Sequence, residues 1–270
     1  VGSRSEAVNK VVDTHDVKSS ASKKERLLIK GVSKRIKQQT LVEPFELSMD
    51  AGEIVALCGG NGAGKSTILR MIVGITQPSE GNITVNGMSW KENRTEYSNQ
   101  IGYMPDQFNF GNGLTAWETL QFYASLRKIN VTRTEEVLEL VGLTDVQDKR
   151  VSTFSKGMQQ RLLFAQAILA KPALVVLDEP TNGLDPYWME EFVQLVQQIK
   201  REGSSVIFST HQLNIAELAC DRAIFLQKGR IIQQGSVEHF QQKYGTLGLQ
   251  GAFAEIFPFG QRAGQEIKLS

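Results

Sequence analysis

Between an apolar run and an amphipathic run lies Gly59-Gly60-Asn61-Gly62-Ala63-Gly64-Lys65-Ser66, and this loop restricts the possible folds more than any other segment. Glu53-Ile54-Val55-Ala56-Leu57-Cys58 before it reads as a buried strand. Ser66 to Val73 after it has helical apolar spacing and stops at Gly74. Strand, glycine loop and helix in that order match G-x-x-x-x-G-K-S/T, a phosphate cradle. The glycines let successive backbone N–H groups face one anion without Cβ clashes. The helix adds the positive end of its dipole, Lys65 a point charge at the β/γ-phosphates, and Ser66 a hydroxyl for Mg²⁺. The candidate nucleotide-binding residues are therefore Gly59, Gly60, Asn61, Gly62, Ala63, Gly64, Lys65, Ser66 and the adjoining Thr67. The loop defines a nucleoside triphosphate site but no reaction.

A second segment narrows the chemistry. Leu174-Val175-Val176-Leu177-Asp178-Glu179 is an apolar strand ending in two carboxylates. Such a strand buries its body and presents both acids at the ligand edge of a sheet. One carboxylate suits Mg²⁺, and its neighbour suits attacking water as a proton acceptor. Around these stations, strands at Leu174–Leu177 and Ser205–Phe208 alternate with a helix over Phe192–Ile199, which predicts a mostly parallel sheet covered by helices. Gly81–Trp90, with Asn86-Gly87 inside it, reads as a hairpin. From Thr115 to about Ala170 the pattern is helical, as if a subdomain were inserted.

Composition removes other classes. The formal net charge of +1 gives no electrostatic case for nucleic acid as a partner. No run of apolar residues is long enough to span a bilayer, so a membrane role requires a partner. Cys58 and Cys220 form no metal-type cluster and read as buried small hydrophobes. Residues 1–26 are polar, lack the apolar stretch of a secretion signal, and are expected to be a flexible extension.

Phe154-Ser155-Lys156-Gly157-Met158-Gln159-Gln160-Arg161 resembles the LSGGQ signature of the ABC ATPases. Leu177-Asp178-Glu179-Pro180-Thr181-Asn182-Gly183-Leu184-Asp185-Pro186 is similar to that family's Walker B and D-loop, and Ser209-Thr210-His211 resembles its switch histidine. The resemblance runs from about Leu27 to Gly235, with the stations in the family's order. It implies an α/β P-loop NTPase of ABC type: a mainly parallel core sheet, an antiparallel β subdomain and an inserted helical subdomain. The implied boundaries are 27–236 for the ATPase domain, about 107–170 for the helical subdomain and 237–270 for a C-terminal tail.

The resemblance also implies roles. Lys65, Ser66 and neighbouring amides would bind ATP, with Mg²⁺ on Ser66 and Asp178. Glu179 would be the general base or water-positioning residue, and His211 would contact the γ-phosphate. Ser155 and Gly157 would close on the nucleotide of a second copy, with Asp185 coupling the two sites. The implied activity is ATP hydrolysis coupled to transport, at the cytoplasmic face of a membrane through integral membrane subunits docked near Asp106–Tyr123. The wording FSKGMQQR and NGLDP looks most like bacterial exporter-type ATPases. The alternative is a non-transport ABC ATPase acting on ribosomes or DNA, which usually carries two cassettes or a long coiled-coil insert.

Three positions depart from the pattern. Ile36 stands where an adenine-stacking aromatic is expected; either adenine packs on aliphatic surface, or the alignment shifts in this stretch. After Ile101-Gly102-Tyr103-Met104-Pro105, Asp106 takes the Q-loop position and Gln107 follows, so Asp106 is a candidate for metal or water. Lys156 replaces the first signature glycine and either adds charge near phosphate or faces solvent.

Overall fold

The computed structural model describes residues 24–257, apart from 109 and 112. The expected flexible extension up to residue 23, and the expected tail beyond residue 257, lie outside them.

Two long strands come first, β1 (Glu25–Ile36) and β2 (Gln39–Asp50), paired antiparallel. Leu47 and Met49 are buried and the residues between them exposed, as their alternation predicts. Next come β3 (Ile54–Cys58), α1 (Lys65–Ile72), and the hairpin β4 (Glu80–Val85) and β5 (Met88–Ser89). The hairpin turns at Asn86-Gly87, with Val85 opposite Met88. β1, β2, β4 and β5 form one four-stranded antiparallel sheet in the order β2-β1-β4-β5.

After α2 (Arg94–Asn99) and β6 (Ile101–Met104) the chain is helical: α3 (Ala116–Leu126), α4 (Val131–Leu140) and α5 (Lys156–Ile168). Thr115 and Glu118 form a reciprocal capping box that starts α3. β7 (Leu174–Asp178), α6 (Pro186–Arg201), β8 (Ser205–Thr210), α7 (Leu213–Ala219), β9 (Arg222–Gln227) and β10 (Arg230–Ser236) follow. The second sheet has the order β10-β9-β3-β8-β7-β6. Its five inner pairings are parallel except for β10 on β9.

β3, β7 and β8 are buried on both faces, which is why they read as continuous apolar runs. Val55 and Leu57 face a core shared with α1 and the antiparallel sheet. Ile54, Ala56 and Cys58 face the other core, built with the helical segment and α6. The central sheet is thus held from both sides, and the ends of its strands are rigid mounts.

β1 begins at Glu25, because Arg26 ties back to Asn86 (2.8 Å), Ser205 (3.3 Å) and the Gly203 carbonyl (3.1 Å). The C-terminal stretch contains α8 (Val237–Tyr244) and α9 (Gly248–Ile256). Phe240 and Phe253 pack on Phe225 of β9, Phe240 fully buried and Phe253 partly so.

Candidate nucleotide site

Register assembles the site. Cys58 pairs with Thr210 and Asp178 with Ser209, so β3, β8 and β7 end at one level. Met104 of β6 pairs with Leu177, bringing Asp106 to the same edge. Each predicted station on a core strand therefore leaves the sheet at its carboxyl end.

The glycine loop bridges β3 and α1. A Cβ on Gly59 would stand 2.5 Å from the Leu226 carbonyl oxygen, so only glycine fits there without a shift. The first turn of α1 begins its own ladder with Ile68 N–H to Gly64 O (3.0 Å). The amides of Lys65, Ser66 and Thr67 precede that ladder and are the donors an anion takes up. Lys65 is buried and folded back: its Nζ donates to Gly59 O (2.7 Å) and Gly60 O (3.3 Å) and lies 3.2 Å from Glu179 Oε1.

Asp178 is completely buried. Its Oδ1 accepts from Ser66 Oγ (2.9 Å) and Ser209 Oγ (2.7 Å), while its buried Oδ2 has no partner. Burial pushes this carboxyl up; the two serine hydroxyls pull it down, Asp106 pushes it further up, and Arg70 pulls it down. An orphaned carboxylate oxygen beside a serine hydroxyl is the donor set of a hard cation that takes its other ligands from phosphate and water. The site fits Mg²⁺.

Glu179 follows at φ +49, a left-handed conformation uncommon outside glycine. It is fixed there by its N–H, which donates to Ser209 Oγ (2.9 Å). Its Oε2 lies 2.9 Å from His211 Nδ1, and the His211 side chain is half exposed. Ser209 thus orients both acids at once, a role the sequence reading missed. Burial also pushes the Cys58 thiol up to about 12, despite nearby Lys65, so this cysteine is no nucleophile.

Asp106 accepts at Oδ1 from Asn182 Nδ2 (3.1 Å), and its carbonyl accepts from Gln160 Nε2 (3.4 Å). It therefore joins three segments, whereas Gln107 is exposed. Ser155 caps α5, accepting from Met158 N–H (3.2 Å), and Gly157 lies against the Gly183 carbonyl. No hydrogen bond among the described residues connects Ser155 or Gly157 to the Lys65–Glu179–His211 group. Ile36 is half exposed at the end of β1. The hairpin returns at Leu41 and Val42 against the space beside Gly64.

A family profile described as ABC transporter matches residues 42–182. The chain belongs to the ABC transporter family. It is 39% identical over 218 residues to the uncharacterized ABC transporter ATP-binding protein YdbJ of Bacillus subtilis, covering 80% of this chain and 71% of that protein. It is 35% identical over 217 residues to the ABC transporter ATP-binding protein NatA of the same organism, covering 78% and 88%. The structure of an ATP binding subunit of an ABC transporter superposes with a TM-score of 0.78 at 30% identity, covering 86% of this chain and 99% of that one. The dimeric bacterial cassette MJ0796 gives 0.72 at 26%, covering 78% and 98%. That cassette also superposes at 0.72 in a post-hydrolysis dimer with ADP and Pi, at 25% identity. Within this family the expected α/β fold, with its parallel core sheet, antiparallel sheet and helical insert, is borne out.

Proposed function

We propose that this ABC cassette works as one of two identical copies that close around two ATP molecules and drive membrane subunits docked on the helical region. The chain is an ABC transporter ATP-binding subunit, an ATPase whose turnover serves transport. One observation supports the two-copy arrangement most directly. The cradle of residues 59–67 is assembled with Asp178, Glu179 and His211, while Ser155 and Gly157 stand apart from it.

Lys65 is the pivot of the mechanism. Its ammonium is held by two loop carbonyls and by Glu179. Arriving β- and γ-phosphates take over Lys65 and the amides at the start of α1. Glu179 then loses its cation and is left with His211 as a hydrogen-bonded pair facing the γ-phosphate. In that state its carboxylate accepts a proton from, or orients, the attacking water. His211 holds Glu179 and reaches the γ-phosphate with the rest of its exposed ring. Ser66 and Asp178 would hold Mg²⁺, which when bound neutralises phosphate charge, and Asp106 would reach its water shell. Ser155 Oγ and the Gly157 amide, at the positive end of α5, would close the second copy's γ-phosphate, with Asp185 coupling the sites.

Exposed Ile75 and Phe108 line a cavity with Asp106 and Tyr123, and exposed Phe122 and Leu126 lie on α3; these residues support a docking face. No helix among the described residues is long and apolar enough to cross a membrane. The reading therefore places the subunit at the cytoplasmic membrane face through its partners. The transporter names of the relatives favour this over action on ribosomes or DNA, and the linearmycin resistance protein among them suits the exporter type. The test is affinity capture from detergent-solubilised membranes. Recovery of an integral membrane protein, lost when Phe108 and Phe122 become aspartates, is expected; recovery of ribosomes or DNA instead would overturn the proposal.

A further inference from the structure

Lys156 is the first residue inside α5, directly after the Ser155 cap; it is exposed as a whole, but its methylene stem rests against backbone. A Cβ placed on Gly183 would meet Lys156 Cδ at 2.8 Å, Cγ at 3.0 Å and Cε at 3.1 Å. The stem therefore lies flat on the bare Cα of Gly183. That glycine is at φ +83, in the turn that runs from Glu179 to Asp185. Immediately beside it, a Cβ on Gly157 would stand 3.1 Å from the Gly183 carbonyl oxygen, so the backbones themselves are close. The turn is otherwise held from inside by Asn182 N–H to Glu179 O (3.1 Å) and Leu184 N–H to Thr181 O (3.2 Å), and from outside at Asn182 Nδ2, which donates to Asp106 Oδ1 (3.1 Å), and at Glu179 N–H, which donates to Ser209 Oγ (2.9 Å).

We infer that Lys156 is a positioning residue: its stem clamps the 179–185 turn to the start of α5, so that Ser155, Gly157 and Asp185 approach a second copy as one rigid edge. The alternative uses of Lys156, charge at phosphate or idle solvation, leave the stem's fit on Gly183 unused. A long basic side chain that lays its stem on backbone and leaves its head in water gains burial without desolvating charge. The turn belongs to the β core and α5 to the helical segment, so the clamp couples two parts that must present their donors together. A glycine at position 156 would leave Gly183 uncovered.

The inference rests on the two-copy reading above, and the test separates the two. In a Glu179→Gln background, Mg-ATP-driven dimerisation is measured by sedimentation velocity for Lys156→Met and Lys156→Ala. Methionine keeps most of the stem and discards the charge. Lys156→Met is expected to dimerise like its parent, and Lys156→Ala about five- to tenfold more weakly, since it loses the methylenes that lie on Gly183. Binding of a fluorescent ADP analogue to the single copy is unchanged in both. Equal weakening by methionine and alanine would assign the effect to charge, and no weakening by alanine to solvent; either overturns the clamp. Should the parent itself stay monomeric, the two-copy reading fails, and amide exchange decides the clamp alone. Residues 181–184 of the nucleotide-free chain should exchange faster in Lys156→Ala only; unchanged exchange overturns it.

Discussion

The two ends of the catalytic apparatus differ in how complete they are. At the carboxyl ends of β3, β7 and β8, the key side chains engage one another inside the chain, Asp178 Oδ2 excepted: Lys65 with Glu179, Glu179 with His211, Ser209 with both acids. At the start of α5, Ser155 is exposed and its hydroxyl is occupied only by the local cap. A finished half and an open half on one chain are what a site shared between two copies requires. In the proposed mechanism, Glu179 is held by the same lysine that phosphate would claim.

The largest effect should come from removing the acid that the finished half restrains. Glu179→Gln is expected to lower ATP turnover about 10³-fold, the scale of a lost general base. It should also trap an ATP-bound dimer, because the neutral amide no longer competes for Lys65. Phosphate release and sedimentation with Mg-ATP measure both. A variant that hydrolyses normally, or stays monomeric, would break the division of labour between the halves.

Mixing tests the open half. Lys65→Ala disables the cradle and Ser155→Arg blocks the α5 end, so each homodimer is expected to lose about 10²-fold in turnover. A mixed dimer pairs the intact cradle of one chain with the intact α5 end of the other and rebuilds one of its two sites. Turnover on mixing should rise at least about tenfold over either variant alone. Two inactive chains that stay inactive together would mean that both halves act within one copy.

The finished half was the more legible part of the sequence. Its strand, glycine loop, helix and paired acids are contiguous, and strand periodicity puts them at one edge. What stayed hidden depends on register between distant segments. Nothing local marks Ser209 as the residue that receives Glu179 N–H and donates to Asp178; only the pairing of β7 with β8 does so. The same holds for Asp106, whose carboxylate meets Asn182 across the gap between β6 and the turn after β7. α8 and α9 were unreadable because each is short and set off by Gly245 and Gly248, so neither carries a long periodic face. Their apolar side exists only against Phe225.

Backbone geometry in the finished half gives a smaller effect. Gly59→Ala places a methyl 2.5 Å from the Leu226 carbonyl oxygen, and backbone cannot yield cheaply. Destabilisation of about 1–3 kcal/mol is expected, from overpacking alone. Urea denaturation without nucleotide checks it. Gly60→Ala, with nothing within 4 Å of its Cβ, is the control and should unfold like the parent.

The smallest effect concerns the unpaired oxygen of Asp178. A carboxyl held above its ordinary value of 3.8 by burial favours the fold most below that value, and the contribution disappears as pH rises through the folded-state value. The charged carboxylate is thus the form that the folded chain disfavours and the unfolded chain solvates. Asp178→Asn removes the charge, keeps an acceptor for Ser66 and Ser209, and puts an amide group at the orphaned position, so the gain is modest. The expected result is a melting temperature about 2–5 °C above the parent at pH 7–8, a difference that shrinks toward pH 4. Adding Mg²⁺ and ATP should reverse the order, because the carboxylate then has the cation it lacks and the amide does not. A variant less stable than the parent throughout the pH range would mean that the two serine hydrogen bonds outweigh the buried charge. The nucleotide half would then be complete without metal.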